Sequence, residues 1–180
     1  MREAAQTADQ VNAAVSAKVS GVGLGVALVL ALGTFAVGTD AFIVAAFLPA
    51  MADGLTVTPA MAGYSVTAFA LSYALLAPII ATLASTLPRR ALLAAALMLL
   101  ALTNVGSALA PSLGILIATR VAAAAAAAAY SSNAVAVVGL LAAPEVRARM
   151  VAIVIGGLTV ATAIGVPLGR VASTVMDWRA

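Results

Sequence analysis

The sequence predicts an all-α membrane protein with five transmembrane helices. Three observations carry that reading. The 180 residues are 64% hydrophobic and 8% charged, whereas a soluble domain is about 45–50% apolar and about 25% charged. Mean hydropathy is +1.18, and five stretches reach the roughly 20 apolar residues that a helix needs to cross a bilayer. None shows the ten-residue alternation of a barrel strand. In lipid the backbone must pair within each segment, which Ala, Leu and Val runs do as helices.

The first span covers residues 22–48 and holds one charge, Asp40. Its length exceeds the 7–15 residues of a cleaved signal sequence. Ahead of it, residues 1–19 carry Arg2, Glu3, Asp9 and Lys18 among small residues, the composition of a flexible tail. The second span (61–83) and the third (91–109) are uncharged. The fourth (115–141) contains Arg120 and an octa-alanine run, 122–129. The fifth (151–168) is uncharged.

Connections this short obey the positive-inside rule. Arg2 and Lys18 of the tail, Arg89 and Arg90 of the second loop, and Arg147 and Arg149 of the fourth are on one side. The first and third loops carry no cation. A cytoplasmic N-terminus is therefore expected, with Arg170 and Arg179 outside. The preference for Arg over Lys, with heavy Ala usage, fits a high-GC bacterial genome and hence the plasma (inner) membrane.

Several function classes are excluded. The chain has no His and no Cys, so zinc sites, thiol catalysis and Ser-His-Asp triads are out. No enzyme is expected. A net charge of +3 without one basic patch is no nucleic-acid footprint. Gly21, Gly23 and Gly25 lack the strand and the Lys-Ser/Thr pair of a phosphate loop, so no cofactor is expected. Energy would come from an ion gradient or another chain.

Asp40 and Arg120 are the ionisable residues inside spans. Each costs roughly 2.5–3.5 kcal/mol to insert, which marks both as functional candidates. Both lie roughly 13 Å below the outer boundary if Pro49 and Pro111 mark it. They pair if helices one and four are neighbours. A carboxylate that loses an Arg partner takes up a proton more readily, so the pair suits proton carriage; a static pair that fixes packing, or a hydrated Asp40, are the alternatives. Ser131 lies almost three full turns beyond Arg120 and so shares its face, as a candidate for a substrate cavity. Tyr130 and Asn133 point elsewhere by the same geometry. Phe42, Phe47 and Phe69 read as lipid or core contacts. On helix five, Gly157, Ala161, Gly165 and Gly169 recur every fourth residue and permit close helix approach. Pro167 allows a bend there.

These residues resemble the major facilitator superfamily, specifically its drug:proton antiporters of twelve helices. The stretch LGTFAVGTDAFIVAAFLP at 32–49 is similar to that group's first-helix signature, with Asp40 as its Asp. The stretch ATLASTLPRR at 81–90 stands where the family has G-x-L-A-D-R-x-G-R-R/K. There Leu83, Ala84, Arg89 and Arg90 match, while Ser85 replaces the Asp and Pro88 a Gly. Arg120 resembles the fourth-helix Arg linked to proton coupling, though alanine replaces the Gln-Gly after it. Gly165, Pro167 and Gly169 look like the end of the helix-five antiporter motif. Asp177, Trp178 and Arg179 look like the segment before helix six. The Leu-Pro-Arg-Arg and Gly-Val-Pro-Leu-Gly forms are similar to a subgroup of chloramphenicol-resistance and sugar or arabinose exporters.

The resemblance implies five helices of a six-helix N-terminal half, ending before helix six and lacking its C-terminal half. It implies proton-coupled efflux of small hydrophobic compounds by alternating access when full length, with Arg89 and Arg90 gating the inner loop. A sugar or metabolite exporter of the same fold is one alternative. A five-helix membrane subunit or non-transporting remnant is another.

Overall fold

The computed structural model describes the backbone of residues 2–83, 87–175 and 178, with side chains from residue 24 onward except at 166, 172, 174 and 175. Five helices follow one another: α1 (Arg2–Gly54), α2 (Pro59–Leu83), α3 (Arg89–Ala108), α4 (Leu113–Leu141) and α5 (Pro144–Val175). There is no strand among the described residues. All five helices contain a stretch long and apolar enough to cross a membrane.

The helix ends differ from the sequence reading in three places, each for a physical reason. The backbone is helical from Arg2, where a flexible tail was expected; Ala4, Ala5, Ala13, Ala14 and Ala17 favour helix over every other residue type. Pro49 was expected to end helix one but lies inside it. Its ring removes one backbone bond yet holds φ in the helical range, and spans tolerate such residues because neighbours re-satisfy the freed carbonyl. The first loop therefore shrinks to residues 55–58. There Thr56 adopts a φ of 54°, and Val57 N–H closes on Ala52 O at 2.9 Å. Finally, Glu145, Arg147 and Arg149 were read as loop but occupy the first turns of α5. Pro144 is preorganised for a first helical position, and Glu145 complements the positive end of the helix dipole.

α4 is the hub, touching all four other helices, while α1 and α5 pack along each other as the most extensive pair. The octa-alanine run explains the centre. Ala123, Ala124, Ala126, Ala127 and Ala128 are all buried, and methyl side chains let neighbouring backbones close in. A helix surrounded on every side needs no polar face. The outer surface is reversed relative to a soluble protein. Leu75, Met98, Leu102 and Leu140 are each 60% exposed or more, as lipid contact requires. Five such helices are the pattern of a multi-pass membrane protein.

Two apolar clusters fill the interior. One includes Val37 of α1 and Ala123 of α4; the other includes Val44 of α1 and Leu116 of α4, with Trp178 packed against it. Asp40 falls between Val37 and Val44, and Arg120 between Leu116 and Ala123. A single polar layer thus separates the two clusters.

Candidate functional site

Ser112 caps the start of α4 by accepting from Ile115 N–H at 3.5 Å. Arg120 follows two turns later, 2% exposed, and its Nη2 donates to Asp40 Oδ1 of α1 at 3.0 Å. Helices one and four are neighbours, and the two ionisable residues meet. The same nitrogen donates to Asn104 Oδ1 of α3 at 2.9 Å. The guanidinium also lies over the ring of Phe69 from α2, 5.8 Å from its centroid, within cation–π range. Four helices thus converge on one cation. Asp40 Oδ2 and Arg120 Nε are buried without a hydrogen-bond partner. Such atoms cost energy in an apolar interior, so the pair is not arranged for maximal stability.

One cavity adjoins this layer and a second lies beside the first. One, of about 320 Å³, is lined almost wholly by apolar groups of α1, α2 and α5, including Val37, Ala41, Phe69 and Leu158. The other, of about 380 Å³, is lined by Thr34, Tyr73, Ser131 and Ser132 among others. Tyr73 and Leu158 border both, and Phe69 stacks on Tyr73 with ring centroids 6.3 Å apart. Ser131 lines the second of these. It does not join the ion pair, since eleven residues of helix separate it from Arg120 by roughly 16 Å along the axis. The Arg120 guanidinium lies behind Phe69, one of the residues of the first cavity's wall.

The other candidates are distributed around this core. Arg89, at the start of α3, donates to Asn133 Oδ1 of α4 at 2.8 Å, a contact that the helical-wheel reading of Asn133 did not anticipate. Arg90 is exposed. Ala84, Ser85, Asp177 and Arg179 lie outside the described residues. The helix-five stripe faces α1. A Cβ on Gly157 would collide with Ala31 O and Thr34 Oγ1, and one on Gly169 would sit 2.9 Å from Ile43 Cγ1. Gly165 stands opposite Thr39, while Pro167 is exposed within α5. The close approach lets Thr34 Oγ1 donate to Val154 O across the interface at 2.5 Å. Among the described residues no group of three His, Cys, Asp or Glu could hold a metal ion.

Sequence reasoning missed Asn104, Phe69, Thr34 and Asn133. For the two amides a signal existed. An Asn inside a span carries the same desolvation argument as a charge, only weaker. For Phe69 there was none, because a ring over a cation and a ring in lipid look alike in sequence.

A model of the Major Facilitator Superfamily matches residues 30–180. The chain belongs to the major facilitator superfamily. Members of that superfamily are transport proteins rather than enzymes. It is 36% identical over 152 residues to the "Uncharacterized MFS-type transporter YtbD" of Bacillus subtilis (strain 168), covering 84% of this chain and 38% of that protein. It is equally 36% identical, over 151 residues, to the "Chloramphenicol resistance protein" of Streptomyces lividans, with 84% and 38% covered. The "Inner membrane transport protein YdhP" of Escherichia coli (strain K12) is 31% identical over 152 residues, with 84% and 39% covered. The chain thus spans well under half the length of these curated relatives.

Proposed function

We propose that this chain forms the N-terminal part of a proton-coupled exporter of small hydrophobic compounds in the plasma membrane. The observation that carries the reading is the buried Asp40–Arg120 pair at 3.0 Å, with Asp40 Oδ2 left unpartnered. Nature retains a costly intramembrane pair where it works. Protonation of Asp40 cancels its charge and releases its hold on Arg120, which loosens α1 from α4. Deprotonation restores it. Because Phe69 lies between the guanidinium and the apolar cavity, a change in the pair is felt by the cavity wall. The half-bundle then rocks against a second, C-terminal half around a substrate at their interface.

The apolar lining of the 320 Å³ cavity supports hydrophobic cargo, as does the similarity to a chloramphenicol resistance protein. Hydroxyls of Thr34, Tyr73, Ser131 and Ser132 around the second cavity favour the alternative, a sugar or metabolite exporter of the same fold. An efflux panel of hydrophobic drugs and pentoses separates the two. Arg89, Arg90, Arg147 and Arg149 lie at the ends of helices that meet on one side, which supports a cytoplasmic N-terminus. There Arg89 would act as a latch between the inner ends of α3 and α4, and Gly165, Pro167 and Gly169 as the sliding and bending surface of α5 against α1.

The deciding test is Asp40→Asn in the full-length gene product reconstituted in liposomes. Proton-driven efflux is expected to vanish while substrate binding remains. Retained uphill efflux overturns the proposal.

A further inference from the structure

We infer that Asn104 is a positioning residue that holds the Arg120 guanidinium when Asp40 is protonated; this rests on the reading of Asp40 as the proton carrier. Arg120 Nη2 donates at once to Asp40 Oδ1 at 3.0 Å and to Asn104 Oδ1 at 2.9 Å. One nitrogen can do so because it carries two hydrogens. When Asp40 becomes neutral, a guanidinium that is 2% exposed still needs an acceptor. The Asn104 carbonyl oxygen is in place, and it does not titrate.

The setting of Asn104 supports this role. Asn104 is itself exposed on α3, and its neighbours Leu102 and Val105 are 61% and 58% exposed, so it stands on an apolar outer surface, where an amide is costly unless bonded. Thr103 and Ser107 donate to carbonyls of their own helix. Asn104 instead reaches across to α4. Other titratable or charged groups are remote from the pair. α2 brings Tyr73 behind Phe69, and the hydroxyl of Tyr130 of α4 donates to Leu30 O. Arg89 and Arg90 stand at the opposite end of α3, and residues 150–169 of α5 contain none.

Asn104 matters most to the state in which position 40 carries no charge. Asp40→Asn holds the protein in that state, because it removes the anion and keeps the shape of the side chain. With the anion gone, more of the hold on Arg120 falls to Asn104, so losing Asn104 weakens the protein more in the Asp40→Asn background than in the parent.

The test uses the full-length gene product and thermal unfolding in detergent of the parent, Asn104→Ala, Asp40→Asn and the double variant. Asn104→Ala is expected to lower the melting temperature at least twice as much in the Asp40→Asn background as in the parent, and Asn104→Gln to restore part of that loss. Equal losses in the two backgrounds, the result of a purely structural role, overturn the proposal. Should the double variant not fold, Asn104→Asp, which offers Arg120 an anion, is expected to raise the stability of Asp40→Asn, and no gain overturns the proposal. If the losses are unequal but Asp40→Asn still drives uphill efflux, the positioning role stands and the transport reading falls.

Discussion

Consider replacing Asp40 by Leu. Arg120 would remain 2% exposed, held only by Asn104 Oδ1 at 2.9 Å and the Phe69 ring at 5.8 Å. Removing one partner of a buried pair costs about 3–5 kcal/mol, because the other charge is left uncompensated. Arg120→Leu leaves the Asp40 carboxylate without its partner and is expected to cost an amount of the same order. The double variant removes both charges, each of which costs roughly 2.5–3.5 kcal/mol to place in a span. It should therefore recover most of the loss and unfold near the parent. The assay is reversible unfolding in mixed detergent micelles for the parent, both single variants and the double variant. A coupling energy above about 2 kcal/mol is expected, against the 0.3–0.5 kcal/mol scatter of independent sites. Single variants within about 0.5 kcal/mol of the parent, adding without coupling, would refute the argument that these residues form one buried electrostatic unit.

Three further outcomes follow from the packing. Adjacent glycines should behave oppositely: Gly156→Ala, with open space around its Cβ, is neutral or stabilising by up to about 1 kcal/mol, whereas Gly157→Ala drives a methyl into the backbone of α1 and costs about 1–3 kcal/mol, both read by thermal unfolding in detergent. Arg89→Ala removes the 2.8 Å bond to Asn133 and should cost about 1.5–3 kcal/mol at most, as for a hydrogen bond to a charged group; a melting temperature equal to the parent's would show that water replaces the contact fully. Because the chain has no Cys, single cysteines report topology cleanly: Asp53→Cys should react with an impermeant thiol reagent from outside and Leu87→Cys from inside, and the reverse pattern would invert the orientation.

The fold was legible where a physical constraint acts on many residues at once. Five long apolar runs leave lipid-compatible helices as the only option, and no rearrangement of one residue changes that. Boundaries were less legible because they depend on single residues whose effect is conditional. Pro49 ends a helix in water more readily than in a packed span, and the position of α5's start turns on Pro144 being read as an opening residue rather than a loop residue. The alanine run of α4 was read as helical, but its deeper meaning needed three dimensions. A helix without large side chains is the one around which four others can gather.

The site was legible in proportion to the cost of its parts. Asp40 and Arg120 stand out because burying a charge is expensive enough to demand a reason, and their equal depth was readable even though Pro49, used as a boundary, is interior to α1. Asn104 and Asn133 carry a smaller penalty, and the first was passed over while the second was set aside on helical-wheel geometry, yet each receives a bond from an Arg, one from Arg120 and one from Arg89 at the start of α3. The small-residue stripe of α5 shows the remaining ambiguity. Its spacing announces close contact with some helix but not which one. Only packing reveals α1 as that helix, and with it Thr34 donating to Val154 O at 2.5 Å. The consequence is mechanical: α1 carries both the buried Asp40 and the tight seam with α5, so, under the proposed mechanism, a change in the hold of Arg120 on Asp40 would act on the α1–α5 pair as a unit rather than on one helix alone.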